Sequence, residues 1–246
     1  MLRCLFALVL FAATAVAASG GALARDSVDV ALVLLADGSG SIDPEEHRLQ
    51  REGYADALTS GAVLSAIRSN AHGRIAVAFV EWGAPDSQDV VVDWALIDGE
   101  ASAKVVADRL RSAPKRSYGY NSISNAIDFA VRLLDSGPWA GERQVIDVSG
   151  DGPNIGGRPI LAARDAALAR GITINALAIR QPGSDVALRG RGLPPLEDYY
   201  RDNVIGGPGA FVEIADGRER FAQAIRAKLV QEIASLGARA KRAQLR

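Results

Sequence analysis

Cysteine is nearly absent from this chain. Its 246 residues include one Cys, one Met and two His. A single Cys closes no internal disulfide and supports no Cys-based zinc site. A charge excess of either sign is lacking too, with 28 Lys+Arg against 29 Asp+Glu. A dedicated nucleic-acid binder normally shows a basic excess, so no nucleic-acid partner is expected. Disorder is excluded by the composition, 48% hydrophobic and 23% charged. The length suits one large domain or two small ones, with ample core in either case.

Long apolar runs are also missing, with one exception at the N-terminus. Met1-Leu2-Arg3-Cys4 precedes an apolar run from Leu5 to about Ala18, and small-residue sites follow at Ala15-Val16-Ala17 and Ala22-Leu23-Ala24. One basic residue, a short apolar core and small residues make a signal-peptide pattern over residues 1–24. The run falls short of the roughly 20 residues a membrane span needs, so no stable span is expected after cleavage. Cleavage after Ala24 removes Arg3 and Cys4, leaving a thiol-free chain with charge 27 minus 29, or −2. A periplasmic or secreted location follows, since an exported chain without disulfides fits a bacterial periplasm.

The remainder alternates strands and helices. Val28–Ala36 is a continuous β-prone run suited to burial on both faces. Asp43-Pro44-Glu45-Glu46 opens a helix, with Asp as N-cap, Pro in the first turn and acids beside it. That helix runs past Leu58, with Leu64 and Ile67 in a continuation or a second piece. Gly73–Trp82 and Gln88–Trp94 read as strands joined by a short turn, hence an antiparallel hairpin. Helices are expected over Ala101–Arg111, Ser122–Leu134, Pro159–Arg170 and from Arg218 to about Leu236. Strands are expected over Gln144–Val148, Ile172–Ile179 and Phe211–Ala215. Gln181–Gly209 is rich in Gly and Pro and too long for a passive connection. The pattern predicts one α/β domain over residues 25–236, a doubly wound, mostly parallel sheet with helices on both faces, followed by a basic tail at 237–246.

Three predicted loops carry chemistry. Asp37-Gly38-Ser39-Gly40-Ser41 follows the first strand, Gly119-Tyr120-Asn121-Ser122 precedes a helix, and Ser149-Gly150-Asp151-Gly152 ends a later strand. Sites in open α/β sheets lie at the carboxyl ends of strands, so the three can converge. They offer two carboxylates, hydroxyls and an amide oxygen. Oxygen-only ligation favours Mg²⁺, Mn²⁺ or Ca²⁺ over zinc or copper. Glycines at the second and fourth loop positions permit unusual backbone angles, which lets Asp37, Ser39 and Ser41 point to one side.

With those residues in place, the chain resembles a von Willebrand factor A-type (vWA) domain. D-x-S-x-S at Asp37, Ser39 and Ser41 and the later Asp151-Gly152 look like its metal-ion-dependent adhesion site (MIDAS). The resemblance covers nearly all of the chain after the leader, and the stretch from Tyr199 to Phe211 looks like a bacterial, secreted subgroup of uncharacterised function. It implies a short antiparallel edge strand, as read at Gln88–Trp94, and a divalent cation, Mg²⁺ first, held by Asp37, Ser39, Ser41, Asn121 and Asp151. It further implies a protein partner whose Asp or Glu completes the metal shell. Two positions depart from the family's pattern. Asn121 stands where Thr is usual, with Ser122 as an adjacent substitute hydroxyl, and Gly150 stands where many relatives have Thr.

Other residues invite plainer readings. Asp147 alternates with apolar neighbours as a satisfied buried carboxylate or a partner to a ligand. His47 and His72 read as surface or loop residues, Trp82, Trp94 and Trp139 as packing, and Arg189 and Arg191 as solvated charges. Three functions compete. The first is a metal-dependent protein-interaction module. The second is a hydrolase of metal-dependent phosphatase type, which lacks its acid/base because Ser39 stands at the second acidic position. The third is a metal-free scaffold that recognises partners through 181–209. The first is the expectation, and with it a non-enzymatic role.

Overall fold

The computed structural model describes residues 25–181 and 183–234. The expected leader at 1–24 and the basic tail at 237–246 lie outside the described residues. Six strands form one sheet: β1 (Asp26–Asp37), β2 (Ile75–Trp82), β3 (Gln88–Ile97), β4 (Trp139–Gly150), β5 (Thr173–Arg180) and β6 (Val212–Asp216). The spatial order is β3-β2-β1-β4-β5-β6. Every neighbouring pair is parallel except β2 and β3. The expected doubly wound sheet with one antiparallel edge is therefore present.

Burial on both faces explains the unbroken apolar run of β1. Val30, Leu32, Leu34 and Ala36 join one core layer, while Ala31, Val33 and Leu35 join the other. The first layer packs under α1 (Pro44–Thr59), α2 (Gly61–Arg68), α3 (Glu100–Ser112) and α8 (Arg218–Ala234). The second lies under α4 (Ile123–Ser136), α5 (Ile160–Leu168) and α7 (Leu196–Asn203).

Several boundaries differ from expectation for identifiable reasons. The first helix is two pieces: Ser60 ends α1 and its hydroxyl caps α2, accepting from the Val63 N–H at 3.3 Å. The β4 strand begins at Trp139, because Trp139, Ala140 and Gly141 pair with Asp26, Ser27 and Val28. The polar Glu142-Arg143 step hid this extension, although backbone pairing does not need apolar side chains. The 181–209 segment is no loop. It holds α6 (Ser184–Gly190) and α7. Gly and Pro at their borders concealed two short helices, each too brief to show a clear period.

Among the described residues no helix is long and apolar enough to cross a membrane. The Asp147 carboxylate is buried in β4 beneath α8, away from the strand's end, and forms an ion pair with the fully buried Lys228 Nζ. It is thus an ion-paired core carboxylate at some distance from the expected metal ligands. Glu232 joins the pair, at 2.6 Å from the same ammonium.

Candidate metal centre

The order β2-β1-β4 reverses the direction of winding between β1 and β4, so a crevice opens at their carboxyl ends. Asp37 closes β1 and Asp151 follows β4 there. In the first loop the Ser39 N–H donates to Asp37 Oδ1 at 2.8 Å, and the Ser39 and Ser41 hydroxyls lie 3.0 Å apart. Ser41 Oγ donates to Asp151 Oδ1 at 3.3 Å. Asn121 Nδ2 lies 3.5 Å from Asp37 Oδ2. All five expected site residues thus meet in one connected cluster. Asp37, Ser39 and Asn121 are buried, Asp151 half-buried and Ser41 exposed, so the donors run from the interior to the surface.

The two carboxylates of the cluster repel each other. Burial raises the Asp37 carboxyl to about 7, the Asp151 charge adds to the rise, and hydrogen bonds from Ser39 oppose it. Among the described residues, no three His, Cys, Asp or Glu side chains gather at one point, so any ion here relies on two carboxylates plus neutral oxygens. That donor set is hard and suits Mg²⁺, Mn²⁺ or Ca²⁺. Asn121 directs its amide nitrogen at Asp37, and a half-turn of the amide places its carbonyl oxygen there instead. The substitute hydroxyl is engaged elsewhere: Ser122 Oγ pairs with Gly156 O and Asn125 Oδ1, both at 3.1 Å.

Both glycines of the first loop avoid positive φ, contrary to expectation. Gly38 is needed for space, since a Cβ there would lie 1.9 Å from Ser117 Oγ. The left-handed position is Gly119 (φ 83°), whose carbonyl accepts from the Gly40 N–H at 2.8 Å and fixes the first loop against the second. At Gly150 a Cβ would meet Tyr200 Oη at 2.7 Å and Asp37 Oδ2 at 3.1 Å. The space in which the family's usual Thr would stand is therefore occupied by a tyrosine hydroxyl from α7. Tyr200 Oη donates to Gly152 O at 3.0 Å. Burial pushes that hydroxyl's pKa well up, and the charges of Asp37 and Asp151 reinforce the shift, so it remains a donor.

Behind the loops lies a buried polar network that the sequence reading did not find. Glu81, at the end of β2, accepts from His47 Nε2 and Arg51 Nε, each at 2.6 Å. Ser117 Oγ is 3.4 Å from Glu81 Oε2 and donates to Gly38 O at 3.1 Å. Arg51 also donates to the carbonyls of Leu110 and Ala113. His47 is therefore part of the support under the first loop and no simple surface residue. Burial pushes the Glu81 carboxyl up, but hydrogen bonds from His47 and Arg51 outweigh this and hold it below its ordinary value. Glu81→Gln should destabilise the protein by about 3 kcal/mol in urea titration, because it leaves the Arg51 charge buried without its counter-ion.

A family profile matches residues 27–237, that of DUF1194, a protein family of unknown function. The chain belongs to this family. No curated protein matches it. Similarity to solved structures places the DUF1194 fold among vWA-type domains. Proximal thread matrix protein 1 from the mussel byssus matches with a TM-score of 0.60 at 12% identity, over 85% of this chain and 48% of that one. A von Willebrand factor type A protein from Catenulispora acidiphila gives 0.56 at 16%, over 84% and 43%. The pilus adhesin SpaC from Lactobacillus rhamnosus GG gives 0.61 at 13%, over 85% and 31%. One structure of the mussel protein has a zinc-occupied MIDAS motif (TM-score 0.57, 13% identity, over 85% and 47%). The DUF1194 chain spans less than half the length of each of these proteins. At such identities the likeness is one of fold.

Proposed function

We propose that this DUF1194 chain is an exported interaction module that captures an acidic side chain of a partner protein through a divalent cation. The observation that carries this reading is the cluster of Asp37, Ser39, Ser41, Asn121 and Asp151, which graded burial leaves open to solvent on one side. Two carboxylates neutralise a divalent ion, and the exposed vertex takes a carboxylate from outside. Mg²⁺ suits the oxygen donors best, with Mn²⁺ or Ca²⁺ as alternatives. A hydrolytic role for Ser39 would need an imidazole base bonded to its hydroxyl, but that hydroxyl pairs with Ser41 Oγ, while His47 Nε2 pairs with Glu81 and His72 Nε2 with Glu142. Export rests on the leader pattern at 1–24, and N-terminal sequencing of the native protein should begin shortly after Ala17 or Ala24.

Thermal melting with and without Mg²⁺ tests the site. At a hundredfold excess over its dissociation constant the ion should add about 2.7 kcal/mol. For a domain of this size that raises Tm by roughly 5–10 °C. The Asp37→Ala variant should show no rise. An equal rise in wild type and variant would refute cation binding at this cluster.

A further inference from the structure

A cleft of about 420 Å³ opens directly from the cation cluster, with Ser41, Asn121 and Asp151 at one end. One wall is the loop after β4, with Pro153 and Ile155, and the other is α6, with Ala187, Leu188 and then Arg191. Tyr120 stands on the rim. Two exposed large apolar side chains line it: Tyr120 is 78% exposed and Ile155 52%. Arg191 is exposed and has no side-chain ion pair among the described residues.

These features are more than a lone carboxylate needs. Binding one acid requires a cation and an open vertex, and apolar walls add nothing to it. An inorganic anion cannot use them either. A polypeptide can: one acidic side chain on the ion, an apolar side chain between Ile155 and Leu188, and a second acidic side chain against Arg191. Charge supports the same occupant. Asp37, Asp151 and a divalent ion sum to zero, and Arg191 then leaves the cleft one positive charge. We propose that the cleft reads a short partner segment carrying two acidic residues with an apolar residue near them. The proposal rests on the cation reading above and specifies what that site selects.

Random heptapeptides displayed on phage, selected on the Mg²⁺-loaded mature chain and depleted on Asp37→Ala, test it. The expected enrichment is Asp or Glu with Leu, Ile or Phe within three positions and a further acid beyond. The best peptide, made synthetically, should bind about tenfold more weakly to Ile155→Ser and to Arg191→Glu, the scale expected from losing part of an apolar burial or reversing one charge. Both variants should retain the Mg²⁺-induced rise in Tm, since neither supplies a donor, and this excludes misfolding as the cause. Enrichment of lone acids, bound equally by both variants, would overturn the cleft proposal and leave the cation site standing. Dimerisation, or cosedimentation with anionic phospholipid vesicles, in place of peptide binding would assign the cleft to another occupant and overturn it as well. Peptides that bind Asp37→Ala as well as wild type, or that ignore EDTA, would overturn the cation reading itself.

Discussion

Replacing Lys228 by Met should remove a large share of the protein's net stability. The ammonium is fully buried between Asp147 and Glu232, and Asn175 Nδ2 also donates to Glu232 Oε1 at 2.9 Å. With Asp147 and Glu232 both ionised, the trio carries one negative charge in excess. Without the Lys, the Asp147 carboxylate loses its ion-pair partner and still faces the Glu232 charge. Removing one partner of a buried ion pair costs about 3–5 kcal/mol, against total stabilities of about 5–15 kcal/mol. The loss should shrink in acid, because the Asp147 carboxyl, raised by burial to about 7, is then protonated. Urea denaturation at pH 5 and pH 8 checks this, with the larger loss expected at pH 8. Equal losses at both would assign Lys228 a packing role.

Asp37→Asn should have the opposite sign when no cation is present. Asn keeps the shape and removes a charge that burial and Asp151 both oppose. The folded carboxyl is raised to about 7 from its ordinary 3.8, so between those values the folded state binds more protons than the unfolded one. The contribution of Asp37 to the stability of the metal-free protein is therefore greatest in acid and is lost as pH rises from about 4 to about 7. The full shift corresponds to roughly 4 kcal/mol at most. Asp147 is raised in the same direction, by burial first and by Glu232, so part of the fall persists in any Asp37 variant. In EDTA at pH 8 the Asp37→Asn protein should be more stable than wild type, by up to roughly 4 kcal/mol. In Mg²⁺ the order should reverse, as only wild type gains from the ion. Lower stability of Asp37→Asn in EDTA would show that Asp37 is held by interactions a neutral amide cannot replace.

Much of the architecture was legible because local signals agreed with one another. The Val28–Ala36 run, the Asp43-Pro44 helix start and the turn before Gln88 each point to one outcome, and Asp43 does cap α1, accepting from Glu46 N at 2.8 Å. The D-x-S-x-S loop was legible because its residues bond to each other or to the next strand end. Long-range partners were not. Tyr200 reaches Gly152 across 48 positions, and Arg51 reaches Glu81 across 30. Lys228 and Glu232 sit beside the apolar stripe of Phe221, Ile225, Leu229 and Ile233, where charged residues normally face water. Only the position of Asp147 across the interface shows that they face inward. Gly38 fits where expected but for another reason, since crowding by Ser117 sets the need and backbone angle does not.

The placement of β1 and α8 gives the molecule a polarity. Asp26 starts the strand whose other end is Asp37, a span of roughly 35 Å. The end of α8 lies by the strand starts as well, where Asn70 and Arg143 donate to the carbonyls of Ile233 and Glu232. Residues 26 and 234 therefore leave the domain at the face remote from the cation cluster. A tag, a surface linkage or a fused domain attached at either side would hold the molecule by its back and turn the cleft outward. Immobilisation through these ends is the orientation in which a binding measurement should succeed, and coupling through Lys115, which bonds the carbonyl of Ile42 at 3.0 Å beside the site, is the one in which it should fail.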